Sequence, residues 1–564
     1  MNLPNSILRQ SLSAVRLIFG RVPYIPECFA DYCDDRRFAR WLFAALYVLF
    51  WPRIGFTFNE RHRHNRGMKS PILSCAMVLT LALGALNAIY ADSATWNLNP
   101  ISNDWNTAAN WTPATVPNGP NDVATFGVSS TTDVSITASI EVNSIVFSPG
   151  ASAFIITPSP ANGAIVLTIS GAGITNDSGI TQNFVTYGDE DSSSFISLTG
   201  SATAGSGTIL TCNGGPAGGG RGQIYFNDTT NAGDATVVSN GGYIFFYDDS
   251  SAADGTIIAN ASDNGFVTMG SASAGNATLI ANGGFIEIDG NGPNTARFEL
   301  YDTGTLYIGY GGQDAMVGSI EGDGQIIIGV DQSLTVGRNN LSTVFSGVIQ
   351  DDPSPPDLES SPIAGQVQPT VTGYLIKVGS GTLTLSGASH YKKITTVIAG
   401  ALNVANKNGS ATSKRAVNVD AGTLGGTGTI AGEVNVGNGS GEGAFLKPSI
   451  GGIKPSSLSI HRALNLKADS TYTYKLNTDR AEADKVIANG VTIDSGAQFN
   501  FVALANKTLR PGKVFVAISN TAATPISGTF ANLPDGSTFT VGSNTFEVSY
   551  EGGDGNDLTL TVVQ

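Results

Sequence analysis

The chain has 564 residues, 69 of them glycine, with 41% hydrophobic and 13% charged residues and a net charge of −15. That composition excludes a disordered low-complexity chain, argues against helical bundles, and suits turn-rich β structure arranged as several domains or one long solenoid. Beyond residue 91 there are 19 basic and 40 acidic residues, so the surface repels phosphate backbones and no nucleic-acid partner is expected.

The first 91 residues stand apart, with 11 basic and 5 acidic residues. Residues 68–91 have a basic start at Lys69, an apolar run, and an Ile89-Tyr90-Ala91 close. This is the pattern of a secretory signal peptide, with cleavage expected between Ala91 and Asp92. An uncleaved membrane anchor is the alternative, for which the run is slightly short. Residues 1–67 precede this signal and are expected to be a non-structural extension from an overlong reading frame. Of the four cysteines only Cys212 lies beyond the cleavage point, so the mature chain has no internal disulfide. It is expected to be secreted or held at the cell surface without spanning a membrane. Cys212 sits in a strand-like run and is expected to be buried rather than reactive.

Residues 92–132 hold Trp96, Trp105 and Trp111, all the tryptophans of the mature chain. They read as a cap on the first turn of a solenoid, whose ends need atypical units. A sugar-stacking platform is the rival reading.

Residues 133–349 repeat themselves. Ile224, Ile244, Val267, Ile286, Leu306 and Ile326 recur at spacings of 20, 23, 19, 20 and 20. Two residues on stand Phe226, Phe246, Met269, Ile288, Ile308 and Ile328, which share a strand face with the first set. Between them, pointing outward, stand Tyr225, Phe245, Thr268, Glu287, Tyr307 and Ile327. An upstream column of Thr236, Thr256 and Thr278 repeats at 20 and 22. The regular ladder is expected over about 192–345. The interval between Thr208 and Thr236 is 28, and the excess falls in the glycine-rich stretch 213–222. A unit of about twenty residues cannot bury a face alone, and a propeller blade needs about twice that length. The expected fold is therefore all-β, a parallel β-helix, right-handed by the rule for parallel crossovers. Residues 350–370 are rich in proline and charge and read as a linker or large loop. Strands resume over 371–564; the one helix-like stretch is 478–488, and even there a turn plus strand is expected.

Tyr225, Phe245 and Tyr307 are the candidate ligand-binding residues, since aromatics along a β-helix face can stack on sugar rings. They can equally lie beneath the 213–222 stretch or the linker. Asp189, Glu190, Asp191, Asp248 and Asp249 lie near turns, where solvation competes with glycosidase-type acid pairs. Asn477-Thr478-Asp479 lacks the histidine context of a polygalacturonase, the mature histidines being His390 and His461. No catalytic residue and no metal ligand is assigned. No cofactor is expected, calcium at Gly552-Gly553-Asp554-Gly555-Asn556-Asp557-Leu558 being the weak exception, because that nonapeptide-like motif occurs once.

The stretch from Leu375 to Val404 has a Lys-x-Gly-x-Gly-Thr-Leu-Thr-Leu-x-Gly core (Lys377 to Gly387), then Tyr391, Thr395-Thr396-Val397, and an Ala399-Gly400-x-Leu402 close. It resembles the autotransporter-associated β-strand repeat. A second, partial match lies at Ala421 to Ile430, and Lys392-Lys393 and Ala401 depart from the pattern. The resemblance implies a passenger-type, pectin-lyase-like right-handed β-helix outside a bacterium, with no catalysis. After Val404 remain 160 residues, fewer than a typical translocator barrel needs, so self-export is not expected. The resulting expectation is a non-catalytic structural or adhesive surface protein whose partner is an extracellular glycan or a surface protein. The alternative is a polysaccharide-active lyase or glycosidase that uses the acidic turns.

Overall fold

The computed structural model describes residues 93–564, apart from 161–162, 218, 262–264, 290–294, 310–313, 330–331, 353–373, 442, 451 and 453. The expected extension 1–67, the signal segment 68–91 with its Ala91–Asp92 cleavage point, and most of the 350–370 stretch lie outside the described residues.

Side-chain alternation dictates the architecture. Short strands with one apolar side must stack to hide it, and they do so as a parallel β-solenoid. Strands of successive turns fall on three faces in a fixed order, and a further parallel ladder of Thr429–Ile430, Ser457–Ile460, Lys485–Ala488 and Val514–Asn520 joins them later in the chain. Face one runs from Gly119–Phe126 through Gln223–Phe226 and Thr305–Ile308 to Val348–Asp351. Face two is an open ladder from Asp133–Ile136 to Gln498–Ala503. Face three begins as single bridged residues, Thr203, Asn231, Ser251 and Ser273, and becomes a strand ladder from Ala315–Val317 to Val491–Ile493.

The inner columns are those the repeat predicts. Ile224 pairs with Ile244, then Val267, Ile286, Leu306 and Ile326, with Phe226 to Ile328 two residues on. All of them are buried. Thr236, Thr256 and Thr278 pair on face two, pointing outward. One register differs from expectation. Thr236 pairs with Ile209, not Thr208. Thr208 instead turns inward, where its hydroxyl donates to the carbonyl of Ala204 at 2.6 Å. The in-register ladder also begins before residue 192 and continues beyond 345.

The end of each repeated phrase has its own purpose. The amide of Asn240 donates to Asn213, Asn260 to Asn240 and Asn282 to Asn260, at 3.3, 2.8 and 3.1 Å. Identical residues on successive turns thus satisfy one another along the axis. The glycines after Asn240 and Asn282 let the next turn approach. A Cβ on Gly242 would meet the carbonyl of Gly222 at 2.5 Å, and one on Gly284 that of Ala259 at 2.5 Å.

The 350–370 stretch interrupts one turn without ending the solenoid. Val348 on its near side pairs with Gln325, and Tyr374 on its far side pairs with Ser333. Residues 478–488 form the expected turn plus strand. Asn477 Oδ1 accepts the N–H groups of Asp479 and Arg480, closing a turn between strands, and Lys485–Ala488 joins the ladder.

Both ends of the ladder have atypical units. Trp96, Trp105 and Trp111 are buried around Phe126, and each indole N–H donates to a backbone carbonyl. None offers a free ring face to a sugar. At the other end Val514–Asn520 pairs antiparallel with Asp557–Val562, which pairs with Asn544–Gly552, which pairs with Thr538–Val541.

Ile286→Ala empties a closed inner column and is expected to lower stability by about 2–5 kcal/mol. The outward Thr278→Ala is expected to stay within about 0.5 kcal/mol. Urea unfolding followed by far-ultraviolet circular dichroism checks both.

Candidate functional site

The outward side of face one is the most unusual surface of the fold. On a sheet with one solvated side, alternation normally places polar residues outward. Here the column Tyr225, Phe245, Thr268, Glu287, Tyr307 runs beside a second column, Gln223, Tyr243, Phe266, Phe285, Thr305. Tyr225 and Phe245 stack with centroids 4.8 Å apart and planes 16° from parallel. Phe195 extends the row one turn earlier, at 6.2 Å from Tyr225. Tyr243 meets Phe245 at 6.0 Å and Phe266 at 5.8 Å. Phe266 stacks on Phe285 at 5.5 Å, and Phe285 meets Tyr307 at 5.9 Å. Tyr247 completes the group beside Phe245, at 5.5 Å.

The structure therefore brings Tyr225 and Phe245 into direct contact and sets Tyr307 at the far end of the same face. Thr268 and Glu287 separate Tyr307 from the other two in its own column, and the rings of the second column bridge that gap. Sequence reasoning missed Phe195, Tyr243, Tyr247, Phe266 and Phe285. Their signal was present, because Tyr243, Phe266 and Phe285 sit one residue before the inner column at every turn.

Most of these rings are half-buried, and Tyr247 is 39% exposed. Of the two covers the sequence admitted, the 213–222 stretch reaches the rings through Arg221, whose guanidinium lies 5.3 Å from the centre of Tyr243 and donates to the carbonyl of Gly241. Beside the linker, Tyr307 donates its hydroxyl to Asp352 at 2.9 Å. Burial raises the pKa of Glu287, and the neighbouring Asp289 adds to the rise. Burial likewise raises Tyr225, helped by Tyr247, and raises Tyr247, helped by Glu287.

The acidic turns have structural work. Asp189 Oδ1 accepts the N–H groups of Asp191 and Ser192 and closes its own turn. Asp228 and Asp248 both adopt φ of 54°. Each passes a carboxylate oxygen to the preceding turn, Asp248 to the N–H of Asp228 and Asp228 to that of Gly200. Glu190, Asp191 and Asp249 are exposed at the same corners, as are His390 and His461 elsewhere. Asp557 of the nonapeptide-like motif sits in a hairpin, and its Oδ1 accepts the N–H of Asn520 at 2.9 Å. Cys212 is fully buried, and burial pushes its thiol up to about 12.

The stretch 375–404 is built into the ladder. Tyr374–Lys377 pairs with Thr395–Val397 on face three, and Thr382–Leu385 with Ala401–Val404 on face two. In place of a face-one strand, Tyr391 turns inward and shares a 2.5 Å hydrogen bond with Thr395. The two atypical lysines stay outside, Lys392 exposed and Lys393 with its ammonium 4.3 Å from the centre of the Tyr374 ring. Lys377, by contrast, is buried at an inward position. Its ammonium donates to the carbonyls of Val378, Gly379 and Ala399 at 2.6, 3.1 and 3.4 Å, tying one turn to the next. Burial pushes it from its ordinary 10.5 down to about 8.

Residues 375–404 match the family model described as the Passenger-associated-transport-repeat, and that stretch forms one section of the β-solenoid. No protein of curated function matches the sequence. Among solved structures, the Haemophilus influenzae Hap adhesin is similar at 11% identity and a TM-score of 0.24, over 78% of this chain and 59% of that one. The chain thus spans less than two thirds of that adhesin.

Lys377 sets a pH dependence. Below about pH 8 its ammonium is protonated in the folded and unfolded chain alike, and the penalty of burying it is present in full. Between about 8 and 10.5 the unfolded chain binds the proton more strongly, so stability rises with pH across that window. Denaturant melts of the protein and of Lys377→Met are expected to diverge by on the order of 2 kcal/mol across it, with the variant lacking the rise.

Proposed function

We propose that the protein is a secreted or cell-surface β-solenoid with a structural and adhesive role, which acts through its long lateral surface and not by catalysis. The observation that supports this most is the passenger-type repeat at 375–404, built in register into a ladder that continues on both sides of it. A solenoid repeats one lateral surface many times, and that geometry suits recognition of an extended partner.

The acidic turns support the same reading. Asp189, Asp228 and Asp248 spend carboxylate oxygens on backbone N–H groups. The nearest arginine in sequence, Arg221, lies over Tyr243. A lyase needs a base beside its acids, and these acids hold corners together instead. Face one, with its rings, is the part of the surface proposed to meet a partner.

The proposal also includes processing at the Ala91–Asp92 bond. Protease treatment of intact producing cells is expected to remove the protein, and amino-terminal sequencing of the exported form is expected to begin at Asp92. Confinement inside the cell, or release of new reducing ends from a polysaccharide panel by the purified chain, would overturn the proposal.

A further inference from the structure

We infer that the outer side of face one, from Phe195 to Tyr307, is a docking surface for an extended polypeptide segment bearing lysine and arginine. This deepens the adhesive reading and rests on it.

Charge is the first argument. Residues 92–352 contain 25 acidic residues and three basic ones, Arg221, Arg297 and Arg338, with no lysine and a net charge of −22. Residues 353–564 contain 15 acidic and 16 basic residues, a net charge of +1. The net negative charge therefore lies in residues 92–352, the part of the chain that carries the rings. Asp228, Asp248, Asp249 and Asp289 lie within three residues of the ends of face-one strands, and Glu287 stands within the face. Such a field attracts cationic partners and repels uronate-rich or sulfated glycans.

Ring orientation is the second. A sugar that stacks needs an open ring face. Here Tyr225 lies on Phe245, Phe245 on Tyr247, and Phe266 on Phe285, all within 16° of parallel. Their faces are largely spent on one another, and the surface offers ring edges and grooves between turns. The alkyl stems of lysine and arginine lie along such apolar ridges while their charged heads reach neighbouring carboxylates.

The chain supplies its own example of the chemistry. Arg221 already lies over Tyr243 at 5.3 Å, with its head group on a backbone carbonyl. A cation on an aromatic ring at this face is thus an arrangement the surface accommodates. The dimensions agree. Six successive strands at roughly 4.8 Å span about 24 Å, the length of an extended segment of about seven residues.

The test is fluorescence anisotropy of the full chain with a labelled octapeptide of alternating lysine and threonine, beside a serine–threonine octapeptide and cellohexaose. The cationic peptide is expected to bind saturably and the other two not to bind. Tyr247→Ala and the near-isosteric Glu287→Gln are each expected to weaken that binding about two- to fivefold. Glu433→Gln, exposed in the other half of the chain, is expected to leave it unchanged. Three results overturn the inference: no binding of the cationic peptide, binding equally strong in both face-one variants, or saturable binding of cellohexaose that Tyr247→Ala removes. Each of these leaves cell-surface exposure, measured separately by protease treatment, as it stands.

Discussion

Every turn of this protein hydrogen-bonds to the turn before it in parallel register, so a residue placed at one height dictates what its neighbour along the axis must tolerate. Parallel pairing from turn to turn satisfies the strand backbone without water, so one side of each strand can be buried and the other solvated. The inner columns follow from that constraint. Ile224 to Ile326 form an apolar column because each member is covered by the one above it. A loop longer than its neighbours is tolerated at a corner, as at 213–222, because insertion inside a strand would turn the inner side outward.

The same constraint organises the polar and aromatic surfaces. Asparagine stacks along the axis because its amide is both donor and acceptor, so Asn213, Asn240, Asn260 and Asn282 form a chain at strand ends, and Asn418, Asn435 and Asn465 form another in mid-strand on face three. Aromatic residues one turn apart stack for the same reason. The rings of face one therefore stabilise the ladder and shape its outer surface at once. Separating the two roles requires substitutions at its edge, such as Tyr247, instead of at its stacked centre.

The passenger-type repeat is where the ladder changes construction. Face one loses its strand there, and Tyr391 fills the space by packing its ring inward. Lys377 replaces an apolar residue at an inward position and binds three carbonyls that the corner leaves facing the interior. A buried ammonium without a carboxylate partner is costly, and its pKa falls accordingly. Its return is a tie between successive turns where the strands are short.

The sequence alone determined the β-solenoid, its inner columns and the outward position of Tyr225, Phe245 and Tyr307, because a period of about twenty residues and alternation of two are both written in one dimension. It also located the repeat at 375–404. Tertiary structure decided what one-dimensional spacing leaves open. Thr208 and Ile209 are both compatible with a strand, and only the inward hydrogen bond to Ala204 settled which of them aligns with Thr236. The turn expected after Asn477 is closed by its side-chain acceptor, and the neighbouring ladder places the strand that follows. Tyr225 and Tyr307 share a column by period, but whether rings touch depends on side-chain direction and on Phe266 and Phe285 in the next column. Period fixes which residues share a height, whereas contact between them is a matter of packing in three dimensions.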